Sequence, residues 1–221
     1  MNPASHIDKS LPADSPPTRA IPDDEPVGLN DRGEWARALI ATRRNVSPKR
    51  LVEPGPHQKQ LEQIFAAAAA APDHAELTPW RFIIVPQGKR CLLAEAFALA
   101  LIDRDPGATL VQIEAAREKA YRAPFLMLAL GKLPVDAMPD IPDQECVVSL
   151  GCAIQNMLLL THAMGYGGGL TSGKAMASRR LRELFRLARN ETPVCFINIG
   201  TVSTRKPGRV RPVFGNFVSS L

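Results

Sequence analysis

The sequence predicts one α+β domain, a small sheet wrapped by helices, from three observations. Apolar residues recur at helical spacing along most of the body. Three short runs, 80–85, 125–130 and 194–202, are apolar without that period, as strands buried on both faces should be. Aromatics make up only 5% of the chain, and Ala and Leu do most of the filling, which favours a helix-rich core over an all-β one. A length of 221 residues supports one substantial core, and neither an internal repeat nor a second domain is visible.

Residues 1–30 are rich in Pro, Asp and Ser and carry no apolar period, so they predict a disordered leader, with the domain occupying 31–221. Asn30 or Asp31 can cap a first helix bearing Trp35, Leu39 and Ile40. A Pro-marked loop over 48–56 precedes a second helix, about 57–71, with Leu61, Ile64 and Phe65 on one face and six alanines at its end. After a loop at 73–79 comes the first strand. Helices follow over about 88–103 and 109–122, and Pro124 introduces the second strand. Residues 132–142 form a Pro-rich connection to a long helix, about 143–164, which stops at Gly165. That helix is the most apolar, but Ser149, Gln155, Asn156 and His162 interrupt it, which suits a core helix better than a membrane span. The Gly-rich stretch 165–173 reads as a loop. A basic helix over about 175–189, the third strand and an apolar-ended tail complete the chain. The tail aromatics Phe214 and Phe217 need something to pack on, for which a neighbouring subunit is a candidate.

Charge is uneven. Lys9 and Arg19 face five acids in the first thirty residues, a net −3, so the remainder of a chain with a total of +5 carries +8. A basic body suits phosphate-bearing cofactors and, alternatively, nucleic acid. No secretory signal pattern is present at the N-terminus. Cys91, Cys146, Cys152 and Cys195 form no C-x-x-C pair and no zinc spacing, so reduced core thiols and a cytoplasmic protein are expected. His6, His57, His74 and His162 join no catalytic-triad or metal pattern. An enzyme without an evident acid, base or nucleophile relies on a cofactor for its chemistry.

Four features remain. Arg43, Arg44 and Asn45 offer two guanidiniums and a carboxamide, a set that can grip phosphate. Ala71-Pro72-Asp73-His74, followed by Pro79-Trp80-Arg81-Phe82, joins a helix end to a strand and exposes one imidazole. The glycines of 165–173 let backbone N–H groups approach a ligand, although the stretch matches neither a P-loop nor a dinucleotide fingerprint. Arg205, Lys206, Arg209 and Arg211 make a basic segment near the end, with no aromatic among them to stack bases. Each feature alone is weak.

Their order is specific. Arg-Arg-Asn, then Ala-Pro-Asp-His with Pro-Trp-Arg-Phe, a long helix, Gly-Gly-x-x-x-Ser-Gly and a strand ending Ile-Gly-Thr resemble the nitroreductase family of FMN enzymes over about 32–221. The Ala-Pro-Asp-His variant looks like its compact bacterial subgroup. The resemblance implies a mostly antiparallel central sheet and a C-terminal arm exchanged with the partner subunit of a homodimer, with FMN at the interface. It implies that Arg43, Arg44 and Asn45 hold the ribityl phosphate and ring edge, with Asn45 standing where the family usually has Ser. Ala70 and His74 match positions reaching the other subunit's FMN. Leu170, Thr171 and Ser172 match the loop along the flavin, where the subgroup often has Trp-Arg-Ser. Ser47 stands where relatives carry Lys or Arg beside the flavin pyrimidine, and Arg209 or Arg211 would add a cation to the phosphate. Leu160–Gly165 matches a region proposed for nicotinamide binding.

The implied activity is ping-pong transfer of hydride from NADH or NADPH to a nitroaromatic, quinone or similar small acceptor, with no membrane or nucleic-acid partner. The alternatives are a flavin-storing protein without turnover and a basic nucleic-acid-binding protein.

Overall fold

The computed structural model describes residues 29–133, 141–207 and 210–221. The leader, through residue 28, and most of the Pro-rich connection lie outside them. Two compact units divide the chain. The described part of the first, ending at Arg37, is the opening of helix α1 (Leu29–Thr42), where Glu34 and Arg37 approach to 3.5 Å. The second, Ala38–Leu221, holds the rest.

Its sheet has five strands: β1 (Leu51–Val52), β2 (Trp80–Ile84), β3 (Phe125–Lys132), β4 (Gly167–Thr171) and β5 (Glu191–Val202). The order is β1-β5-β3-β2, with β4 pairing β5, and every strand pairing is antiparallel. Strand β3 explains the architecture. Met127 and Ala129 point to one face and Leu126, Leu128 and Leu130 to the other, and all five are buried. Both faces are therefore covered, which is why the strand is continuously apolar rather than alternating.

One face is covered by α2 (Gln58–Ala69) and α5 (Asp143–Ala163), through Ile64, Ala68, Leu150, Ala153 and Met157. The other is covered by α3 (Arg90–Arg104) and α6 (Arg179–Leu184), through Leu93, Ala94 and Leu181. Helix α4 (Leu110–Arg117) packs on α3 and opens on a capping box between Thr109 and Gln112. Arg90, 1% exposed, gives its guanidinium to the carbonyls of Val85, Ala120 and Pro124, so its burial leaves the charge well solvated by backbone dipoles. Helix α5 is the one helix among the described residues long and apolar enough to cross a membrane, but its Ala153–Met157 face is core.

Four sequence expectations need correction. The 165–173 stretch is not a loop throughout: Gly167–Thr171 is strand β4, in register Gly167↔Gly200 to Thr171↔Phe196. Glycine is present there because of close approach. A Cβ on Gly169 would overlap the Val46 carbonyl oxygen, and one on Gly167 would meet Val202 and Leu51. The basic helix over 175–189 is a 3-10 turn at Lys174–Ala177 and the short α6, with Arg186 in the left-handed region beyond it. The segment 109–122 is α-helical only to Arg117 and continues as a 3-10 turn, Glu118–Tyr121. Of the four cysteines, all free, Cys91 is exposed rather than core.

Candidate functional site

The end of α1 delivers Arg43, Arg44 and Asn45 to the free edge of β4. Val46 N–H donates to the Gly168 carbonyl at 2.9 Å, and a parallel bridge joins Asn45 to Gly168. Asn45 Oδ1 accepts from the Leu170 N–H at 3.0 Å, which leaves its Nδ2 as a donor. Two segments recognised separately in the sequence, 43–45 and 170–172, are thus parts of one structure.

On one side of this junction is a cavity of about 450 Å³ lined by Arg43, Arg50, His162, Arg205, Lys206 and Arg211, among others, with no carboxylate from the described residues in its lining. Arg43 is half-buried, and its Nε is buried without a hydrogen-bond partner among the described residues. Burial, and then repulsion from Arg211, lowers the Arg43 pKa. Arg211 Nη2 donates to the Arg43 carbonyl at 3.0 Å, so the tail is pinned beside that guanidinium. Arg209 lies outside the described residues.

His162, near the end of α5, shares the cavity. Thr42 Oγ1 donates to the Ala38 carbonyl at 2.7 Å, so at its 3.0 Å contact with His162 Nε2 the hydroxyl is the acceptor. That assigns the neutral ring as the Nε2–H tautomer, with Nδ1 open to protonation. Burial lowers the His162 pKa first, and the positive charges of Arg43 and Arg205 lower it further. An anion would relieve the orphaned Arg43 Nε and the mutual repulsion of the cations together.

On the other side is a cavity of about 640 Å³ with Ser47, Thr171 and Ser172 on one wall and Phe97, Leu126 and Phe196 among its apolar lining. Phe97 and Phe196 meet edge to face with centroids 5.5 Å apart. Asn198, only 2% exposed and flanked by Ile197 and Ile199, donates through Nδ2 to the Gly169 carbonyl at 3.2 Å and to Thr171 Oγ1 at 3.0 Å. The Thr171 hydroxyl, accepting there, keeps its own proton to donate.

Ala70 and His74 lie elsewhere. Ala70 is the exposed C-cap of α2. His74 Nδ1 pairs with Glu145 Oε2 at 2.6 Å, near the start of α5, and both side chains are about half-exposed. The loop beyond is strained: Ala75, Glu76 and Thr78 hold φ of 55°, 54° and 46°. Neither residue lines either cavity. Glu145 and His162 stand seventeen residues apart on α5, roughly 25 Å at ~1.5 Å per residue. His74 and Arg43 therefore occupy opposite ends of that helix in one chain.

Arg50 and Asn198 were not singled out from the sequence as binding residues, and His162 only as part of the Leu160–Gly165 stretch. The signal for Asn198 was available, as the one carboxamide in the 194–199 apolar run. Arg50 had none beyond residue type.

The sequence profile of the Nitroreductase family matches residues 40–201. The chain belongs to the nitroreductase family. A Haemophilus influenzae protein provisionally named NAD(P)H nitroreductase is 32% identical over 166 residues, covering 75% of this chain and 88% of its own. Escherichia coli YdjA, provisionally named likewise, is 32% identical over 169 residues, covering 75% and 87%. Among solved structures, a nitroreductase-like protein from Bacillus cereus superposes with a TM-score of 0.72 at 17% identity, over 84% of this chain and 95% of that one. The FMN-dependent nitroreductase NfnB of Mycobacterium smegmatis, crystallised with NADPH, gives 0.65 at 16%, over 86% and 100%. This nitroreductase thus has the helix–sheet–helix fold of an oxidoreductase family.

Proposed function

We propose that this nitroreductase binds FMN and passes hydride from NADH or NADPH to a nitroaromatic, quinone or similar small acceptor in a ping-pong cycle. The observation that carries the reading is Arg43 Nε, buried in a basic cavity and, among the described residues, with neither a hydrogen-bond partner nor a carboxylate beside it. The FMN phosphate is the anion that fits it. FMN held there would supply the two-electron, hydride-transfer chemistry that links the nicotinamide to the second substrate. With a quinone the sum is NAD(P)H + H⁺ + quinone → NAD(P)⁺ + hydroquinone.

In this reading Arg43 and Arg211 hold the phosphate, with Arg44 beside them at the cavity mouth, and Asn45 Nδ2 donates to the ribityl–phosphate end. The backbone of Leu170, Thr171 and Ser172 runs along the ring, held by the Asn45 and Asn198 carboxamides. Ala70 and His74 serve the FMN of the partner subunit, because the length of α5 separates His74 from Arg43 within a protomer. Exposed Val213, Phe214, Phe217 and Val218 call for cover, which an arm exchanged across a homodimer supplies. The Ala-Pro-Asp-His loop supports assignment to the compact bacterial subgroup. Free thiols suit the cytoplasm.

The test is the absorption spectrum of the purified protein. A flavin spectrum is expected, with flavin content falling sharply in Arg43→Ala and partly restored in Arg43→Lys. Unchanged flavin in Arg43→Ala contradicts the phosphate role, and a flavin-loaded monomer in light scattering contradicts the shared site. Flavin without NAD(P)H oxidation in the presence of quinone would identify a storage protein.

A further inference from the structure

We propose that the 640 Å³ cavity selects acceptors that carry an acidic group on a flat apolar body. This rests on the flavin reading above for its role in turnover. The cavity floor is apolar, formed by Phe97, Leu101, Leu126, Met176 and Phe196. Its charged lining residues are Arg104, Lys119, Arg122 and Lys174, and no Asp or Glu among the described residues joins them. These four come from separate elements: the last residue of α3, the 3-10 turn after α4, the residue following that turn and the 3-10 turn after β4.

The neighbouring acids are spent elsewhere. Asp103 takes a two-pronged bond from Arg180 at 2.7 and 3.0 Å, and Glu95 and Glu114 both engage Arg117. Glu118 approaches Arg122 only to 3.8 Å. Arg104, Lys119 and Lys174 have no ion pair among the described residues. A cavity whose lining cations outnumber their counter-charges, with only Arg122 paired, to Glu118, attracts an anion and concentrates it. The oriented Thr171 hydroxyl and the Ser47 and Ser172 hydroxyls add neutral donors to the same lining.

A neutral acceptor gains only the apolar floor. A carboxylate of the same shape gains the field as well, and that gain shrinks with salt. The phosphates of the reduced nicotinamide carry the same kind of charge, so the test separates the two substrates.

The probes are 4-nitrobenzoate and its neutral isostere 4-nitrobenzamide, measured on the protein as purified. At low ionic strength the acid is expected to bind about tenfold more tightly by calorimetry, several exposed cations each adding a modest amount. Its KM as acceptor should be lower by a similar factor. In Lys119→Gln and Lys174→Gln the ratio between the two probes should fall toward one, as it should in high salt. Equal affinity for the two probes in the wild-type protein overturns the inference and leaves the flavin reading intact. A rise confined to the KM for NADH or NADPH in the two variants assigns the cations to the donor and also overturns it. A colourless protein that cannot be loaded with FMN overturns the flavin reading, and the calorimetric ratio still decides the anion preference.

Discussion

Asn45 Oδ1 accepts a hydrogen bond from the Leu170 N–H at 3.0 Å, tying the residue after the twin arginines to the edge strand that follows the long helix. The bond crosses 125 residues of sequence and is what makes one site of two segments. Asn45→Ala is expected to cost about 1 kcal/mol, the net value of such a bond, read as a lower urea midpoint, and to weaken FMN retention. Asn45→Asp keeps the acceptor and loses the Nδ2 donor. It should retain stability yet bind FMN less tightly than the wild type, which an FMN titration monitored by fluorescence separates from a folding defect.

Gly169→Ala places a methyl group against the Val46 carbonyl, a backbone atom of the paired segment that cannot step aside alone. A loss of about 1–3 kcal/mol is expected, as for other overpacked sites. Gly173→Ala is the control: its φ of 167° is ordinary extended backbone, and its Cβ would meet nothing within 4 Å. It should stay within about 0.5 kcal/mol of the wild type. Urea unfolding of both variants with unchanged slope checks the contrast.

His162 contributes a pH dependence whose sign follows from its lowered pKa. The unfolded chain protonates this ring at about pH 6.5, and the folded chain only at lower pH. Below the unfolded value the unfolded state binds more protons, so stability is lost as pH falls through that window. Between about pH 7.5 and pH 5.5 the wild type should lose more stability than His162→Gln. Inorganic phosphate should narrow the gap, because an anion beside Arg43 and Arg205 offsets the charges that depress the ring. Equal losses in the two proteins would contradict the assignment.

Thiol chemistry should be selective. Burial pushes the Cys195 thiol up to about 11, so it stays protonated in ordinary buffers. Cys91 is exposed on α3. Iodoacetamide at about pH 8 should label Cys91 first and leave Cys195 untouched until the protein unfolds, as peptide mass mapping would reveal.

Most elements were legible because their cause is local. The period of Leu61, Ile64 and Phe65 marks α2, and the unbroken apolar run of β3 announces a strand covered on both faces. Strand β4 was not legible. Three glycines argue for a loop when read locally, and only the nearness of Val46, Leu51 and Val202 turns them into a requirement for close packing. The same holds for α6, where a basic run of good helix formers stops at Leu184 because Arg182 turns back to cap the carbonyls of Ala188 and Glu191.

The order of motifs by itself determined the family, the α+β class and the two segments, 43–45 and 170–172, that meet at the site, because these depend on residue type and spacing. Only the tertiary structure decided what surrounds them: the orphaned Nε of Arg43, the tail arginine pinned beside it, the ring of His162 between like charges, and the buried carboxamide of Asn198 behind Thr171. It also decided that His74 and Arg43 lie at opposite ends of α5. Spacing along a chain carries no information about which distant side chains lose their water together, and that loss of water sets the electrostatics of the site.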